Sequence, residues 1–464
     1  MATTIGILAL GRPTFDVPFA EEMLARMLAR LDAADADLVG PRALLMDAEA
    51  AREALDDVGS HDPDFLLILQ VTFTDAAMTA EIASAYEGPL GIWSVPEPRA
   101  GGRLRLNSFC GLNLASHALS LRDRSFSWIY GHPDEADIDT AIADLLAGRR
   151  LTDRRDPIAP KAVETAASAA IAASLKEATI ACVGLHPDGF DTCRYDPAAL
   201  ASLAGTRVET VPLDTLFETA HAVPDAAVAP VRQQAEAEMA GLAEVDQDQL
   251  DRSLRLRVAL DRFVEEKHVD AFAVRCWPET FTEYGGAVCG PVAMMGERKV
   301  PCACEADVYG ALTQIVLQRV ADAPVFLADL VDLDAGDDTG VVWHCGQAPL
   351  SMAAPDSAPT ATIHTNRKMP LLYQFRLKPG RVTFLRISQA HNRPAMVIAG
   401  GTMLDRPMAF TGTSGVVRFD TPASDLLGAV MDSGLEHHMA LAYGDHRDAL
   451  KSVARSLDLP VQEL

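Results

Sequence analysis

The alternation of strand-like and helix-like runs constrains this chain most. "TIGILAL" leads into the helical pattern "PFAEEMLARMLARLDAA"; "RALLM", "DFLLILQVTF" and "LGIWSV" read as further buried strands, with stretches such as "DAAMTAEIASAY" between them. Continuous apolar runs of strand length, separated by segments of helical period, are the mark of a parallel sheet covered on both faces. The pattern pauses at "LTDRRDPIAP", a charged, Pro-bearing connector of the kind that separates domains. It resumes through "EATIACVGLHPDGFDTC", "TRVETVPL", one long helical region "AEAEMAGLAEVDQDQLDRSLRLRVALDRFVEEKH", "VDAFAVRCW" and "KVPCACE".

After about residue 324 the runs become short and β-like: "GVVWHCG", "LLYQFRL", "GRVTFLRIS", "PAMVIAGGTM" and "GVVRFD", broken by Gly, Pro and Asn. The expected fold class is therefore α/β, with two doubly wound α/β domains over residues 1–155 and 172–323. A smaller β-rich, barrel-like domain over residues 324–464 follows and completes the site.

Charge and motifs exclude several function classes. With a net charge of −25 the chain is a poor partner for nucleic-acid backbones or anionic membranes. The N-terminus has no basic segment before its apolar run, and no apolar stretch reaches bilayer length, so a cytoplasmic chain is expected. The eight cysteines read as reduced thiols, "CAC" at 302–304 as alternating buried positions, and the lack of a CxxC pair argues against structural zinc. GxGxxG, GxxxxGK[ST] and GxSxG are absent, which disfavours nucleotide enzymes and α/β-hydrolases.

Two acids stand out in "CACEADVYGALTQIVLQRVADAPVFLADLVDL". Residues 306–321 have helical period, so Glu305 falls between a strand end and a helix N-terminus, the edge where open α/β sheets bind ligands. Asp329 interrupts the apolar run "VFLADLV" toward the end of the next strand. Taken singly, Glu305 compensates a helix dipole and Asp329 is a solvated strand end. As a pair on neighbouring strands they would share a cleft, and a buried acid needs a partner or a cation.

The same stretch resembles the L-fucose isomerase family and, more distantly, the L-arabinose isomerases. The resemblance extends through "CWPETFTEYGGAVCGPVAMMGERKVP", "GVVWHCGQAPLSM" and "GLEHHMALAYGD". It implies Glu305, Asp329 and His438 as ligands of a divalent metal, with Glu305 and Asp329 also the catalytic acid/base pair. His344 is a further ligand or a sugar contact, His437 an outer or substrate contact, and Asp307 an acid beside the ligand motif that orients it or contacts the substrate. Two carboxylates and an imidazole suit Mn²⁺, with Co²⁺ or Mg²⁺ as alternatives.

Glu279, Trp277 and Asn107 are further candidate substrate contacts, although Glu279 is equally a turn acid and core packing is the commoner role for tryptophans such as Trp277 and Trp343. Gln70, Thr72, Cys110, His117 and the loop of Gly184, Asp188 and Gly189 are candidates by position alone. The implied reaction is aldose–ketose isomerisation of an open-chain, fucose- or arabinose-like or modified sugar through an ene-diol. A sugar-binding regulator and another metal-enediolate enzyme, an aldolase or epimerase, are the alternatives. A sulfonated hexose would require a cation at the far end of the pocket, for which Arg103, Arg105, Arg275, Arg367 and Arg386 are candidates. The resemblance also implies a homo-oligomer, with a hexamer favoured and sites near subunit interfaces.

Overall fold

A computed structural model describes residues 3–34 and 36–464. The first sheet contains β1 (Thr3–Leu10), β2 (Ala36–Val39), β3 (Phe65–Gln70), β4 (Leu90–Ser94) and β5 (Ser127–Tyr130), all parallel in the order β2-β1-β3-β4-β5. The second contains β6 (Thr179–Val183), β7 (Arg207–Val211), β8 (Ala271–Val274) and β9 (Cys302–Ala303), again parallel, in the order β7-β6-β8-β9. In both sheets the chain reverses direction of travel beside the first strand, opening a crevice at the carboxyl ends of β1/β3 and of β6/β8.

The third sheet holds β10 (Phe326–Asp334), β11 (Thr339–His344), β12 (Thr360–Thr362), β13 (Leu372–Arg376), β14 (Gly380–Ser388), β15 (Ala395–Met403), β16 (Thr413–Phe419), β17 (His438–Tyr443) and β18 (Val461–Glu463). The antiparallel run β16-β11-β10-β17-β14-β15 closes on itself through β15–β16 pairing, which leaves a barrel without edges. The mixed α/β chain with a strand-rich, barrel-like end thus matches its sequence pattern.

Local differences have physical reasons. "RALLM" is not a strand: it contributes only a Leu10–Leu45 bridge, and the strand lies earlier, at Ala36–Val39. The long helical region divides into Asp225–Glu238 and Gln247–Lys267, because Gly241 adopts φ 80° and Asp246 caps the second helix by accepting from Gln249 N. The helix predicted over 306–321 starts at Val308, where the Asp307 side chain accepts from Gly310 N.

One element ties the first domain to the barrel. Every residue of helix Ser108–Ser120 is buried, polar ones included. Its polar groups serve the end of helix Ala423–Ser433 and the turn beyond: Ser116 donates to Met431 O, His117 Nδ1 to Gly434 O at 2.8 Å, and Asn113 to Leu435 O. Met431 O also accepts from Gly434 N, while the Gly434 and Leu435 carbonyls lie just beyond the helix end, and the turn leads directly to His437 and His438. His117 and Cys110, whose thiol faces Leu330 O, are therefore packing residues rather than site residues. Asn113→Leu strands the Leu435 carbonyl in the core and is expected to lower stability by about 1–3 kcal/mol, measurable by urea unfolding.

Candidate active site and metal centre

Glu305 follows β9 in a short turn and has φ 60° and ψ 25°, a left-handed conformation that costs a non-glycine residue free energy. Trp277, in the loop after β8, donates its indole N–H to Glu305 Oε1 at 3.1 Å, and His437 Nε2 lies 3.1 Å from Oε2. Burial pushes this carboxyl up, but His437, His438 and Trp277 outweigh it and hold it below its ordinary value.

Asp329 arrives from the barrel. Its strand is not a neighbour of β9, contrary to the expectation of adjacent strands; the two belong to different sheets. The barrel register instead places Asp329 directly across from His438 on β17 and from Trp343 on β11. Residues opposite each other in such a ladder share a face, so Asp329 and His438 are held side by side by the backbone itself. His438 Nε2 lies 3.5 Å from Asp329 Oδ1 and 4.0 Å from Glu305 Oε2. Burial, with Glu305 nearby, lifts the Asp329 carboxyl to about 7 despite the opposing pull of His438.

The donor chemistry fits a divalent cation. Asp329 Oδ1, His438 Nε2 and His344 Nε2 are buried without a hydrogen-bond partner among the described residues, an expensive condition for polar atoms. Asp329, His344 and His438 offer ligand atoms within 4.8 Å of one another, and Cys193, Glu305, His437 and His438 form an overlapping group. Cys193 is a poor donor for a hard ion, since burial pushes its thiol well up. His438 is oriented for ligation: its Nδ1 lies 3.1 Å from Asp307 Oδ2, so Nδ1 carries the proton and Nε2 presents its lone pair. His344 is oriented the other way. Its Nδ1 accepts from Cys345 N at 2.8 Å, so the neutral ring keeps its proton on Nε2 and suits donation to a sugar oxygen better than ligation.

Asp307 does not line the pocket, so it is no substrate contact. It is fully buried against Arg386, which donates to its two oxygens at 2.5 and 3.1 Å. Burial opposes its charge, yet Arg386 and His438 prevail and hold the carboxyl well below the usual range. Arg386 is equally enclosed, with Glu436 Oε2 3.7 Å from its Nε, and is no candidate for an anionic sugar. Glu279 pairs bidentately with Arg275 at 2.6 and 2.7 Å outside the pocket lining, which gives both a local role.

Trp277, Trp343, His344, His437 and Asn107 do line the pocket with Glu305 and Asp329. Asn107 is positioned by Glu97, whose carboxylate accepts from the backbone N–H groups of Arg105, Leu106 and Asn107. Gln70 and Thr72 are turned into their own loop, where Gln70 donates to Thr72 O and Thr74 Oγ1. The pocket also contains Arg12, Phe15 and Phe73 from the loops after β1 and β3, and His364 and Asn366 from the barrel. Sequence reasoning missed these; the signal available was that Arg12 and Phe73 follow the two buried strands flanking a sheet crevice.

A pocket shared by two parallel-sheet crevices and a barrel, lined by Glu305, Asp329, His344 and His437 with His438 buried behind it, has the make-up of a sugar-isomerase type of site. Residues 6–153 match the fucose/sulfoquinovose isomerase N-terminal domain and residues 342–464 the L-fucose isomerase C-terminal domain. Similar curated proteins include the sulfoquinovose isomerase of Clostridium sp. (strain MSTE9), 31% identical over 463 residues that cover 99% of this chain and 98% of that protein. That of Priestia megaterium (strain ATCC 12872 / QMB1551) is 30% identical over 459 residues, 98% of each chain. That of Alkalicoccus urumqiensis is 29% identical over 462 residues, 99% of each. The chain belongs to the L-fucose isomerase-like superfamily, a family of aldose–ketose isomerases. Asp307→Asn, which weakens the carboxylate behind His438, is expected to reduce divalent-metal affinity 10–100-fold in calorimetric titrations.

Proposed function

We propose that this isomerase converts an open-chain, sulfonated hexose between aldose and ketose forms, using a divalent ion of the Mn²⁺ type held by Glu305, Asp329 and His438. The carrying observation is the buried meeting of Asp329 Oδ1 and His438 Nε2 beside Glu305, with no hydrogen-bond partner for either of the first two atoms among the described residues. The sulfonated substrate class is supported by the names of the relatives, all sulfoquinovose isomerases that match nearly end to end.

When bound, the ion supplies Lewis-acid polarisation of the substrate carbonyl. The two carboxylates then divide the proton work: one removes the hydrogen from the carbon next to the carbonyl, and the proton returns to the adjacent carbon. The electron pair left behind makes the ene-diol, whose collapse exchanges carbonyl and hydroxyl. Trp277 and His437 hold Glu305 in place by its two oxygens, and the His344 Nε2–H faces the pocket as a donor. The aromatic walls, Phe73, Phe281 and Trp343, limit the water that reaches the carbon being deprotonated.

A homo-oligomer, with a hexamer favoured by the family resemblance, completes this reading. Leu151, Ile158 and Val163 are 52%, 61% and 80% exposed along one connector, an apolar strip suited to a contact between copies.

The test is proton NMR in D₂O on sugars incubated with Mn²⁺-loaded protein that is removed before acquisition. Metal-dependent ketose formation with deuterium at the exchanging carbon is expected, and Glu305→Gln should reduce it by at least 100-fold. An epimer or a cleaved product would replace the isomerase reading by an epimerase or aldolase. Wild-type rates in Glu305→Gln would remove that residue from the mechanism.

A further inference from the structure

The pocket has a second pole that the proton chemistry does not use. Arg12 and Arg367 both face the Trp277 ring, with guanidinium carbons 5.5 and 5.4 Å from its centroid. Arg12 comes from the loop after β1 and Arg367 from the barrel loop before β13, so two domains contribute one cation each. Arg103 ties the loops together, donating to Thr14 O at 2.7 Å and to Asn366 Oδ1 at 2.9 Å.

The charges of the two arginines are not equivalent. Arg12 is paired with Asp75. Arg367 has no carboxylate within salt-bridge reach among the described residues, although it is half-buried beside another cation. Burial and then Arg12 push its guanidinium below the ordinary value, as expected of a cation without a counter-charge. His364 adds a neutral donor: its Nδ1 accepts from Asn366 N and Arg367 N, each at 3.2 Å, which leaves the proton on Nε2. An uncompensated cation is conspicuous in a chain of net charge −25.

We infer that Arg367, supported by Arg12 and His364, is the clamp for a tetrahedral oxyanion at the far end of the sugar. This inference rests on the proposed function and adds the residues that select the substrate. With Arg12 already paired with Asp75, Arg367 is the guanidinium over the Trp277 ring that lacks a carboxylate among the described residues, a single cation that suits a monoanionic sulfonate better than a dianionic phosphate. Trp277 links the poles, since its N–H holds Glu305 and its ring lies beneath both guanidinium groups. Clamping the tail therefore sets where the carbonyl end falls.

The experiment compares wild type, Arg367→Gln and Arg367→Lys, all Mn²⁺-loaded, on a 6-sulfonated hexose, its 6-phosphate and its neutral 6-deoxy counterpart. For Arg367→Gln, kcat/KM on the sulfonated sugar should fall at least tenfold, mostly through KM, with a severalfold smaller loss on the neutral sugar. Arg367→Lys should recover part of the loss. Wild type should prefer the sulfonate to the phosphate; the opposite preference would overturn the monoanion assignment. Equal losses on charged and neutral sugars, or no loss, would overturn the clamp. Calorimetric titration with propanesulfonate separates this outcome from failure of the isomerase reading, because it needs no turnover. Affinity at least tenfold weaker in Arg367→Gln supports the clamp, and equal affinity refutes it whatever the kinetics say about isomerisation.

Discussion

The structure depends on one buried carboxylate, that of Asp307. It caps helix Val308–Ala321 by accepting from Gly310 N at 2.7 Å, takes two hydrogen bonds from Arg386 on β14, and fixes the proton of His438 on β17. A side chain at position 310 is excluded, because a Cβ there would come within 2.4 Å of the Asp307 carboxylate. Desolvating so many charges is unfavourable in itself, and such a network is held together only when every partner is present. Removing Asp307 would leave Arg386 inside the fold with Glu436 at 3.7 Å as its remaining acid. One group thus locks the second α/β domain to the barrel and simultaneously aims an imidazole.

That lock explains why the pocket lies where three units meet. Parallel sheets open crevices at their carboxyl ends, and here the loops after β1 and β3 face the loops after β6, β8 and β9. Neither sheet alone supplies both a carboxylate and an imidazole to the site. The barrel adds Asp329 and His438 from adjacent strands, a pairing dictated by register rather than by flexible loops. Rigid strands hold two side chains in fixed relation to each other, which loops do less well.

Parts of this arrangement were legible in the sequence for physical reasons. Alternating apolar runs revealed the parallel sheets, and acids interrupting "CACEAD" and "VFLADLV" drew attention to Glu305 and Asp329, which line one pocket, because a charge inside a buried run demands an explanation. The nature of their proximity was not legible: the residues lie on different sheets, and Asp329 meets His438 through a long-range strand pairing that no local pattern encodes. Arg386 was a candidate for an anionic sugar because it is charged, and Asp307 a candidate contact because it adjoins Glu305, whereas mutual burial keeps both out of the pocket and leaves Asp307 orienting His438. Arg12 escaped notice since a lone Arg in "LGRPTF" looks like an ordinary turn residue until Trp277 and Arg367 are placed beside it.

The backbone at Glu305 supplies the last step. Glu305 and Ala306 both have positive φ, 60° and 53°, and Asn107 on the opposite wall has φ 49°. Asparagine tolerates this region; glutamate and alanine do so at a cost of about 1–3 kcal/mol each. Such strain persists only where surrounding contacts over-determine it. Here Ala306 is sealed in the core, while Trp277 and His437 grip the carboxylate from two sides. A relaxed turn would let Glu305 swing into solvent, where its charge is better hydrated. The left-handed turn instead keeps the carboxylate against the indole and next to the Asp329–His438 pair, so the strain and the unsatisfied donor atoms share one cause.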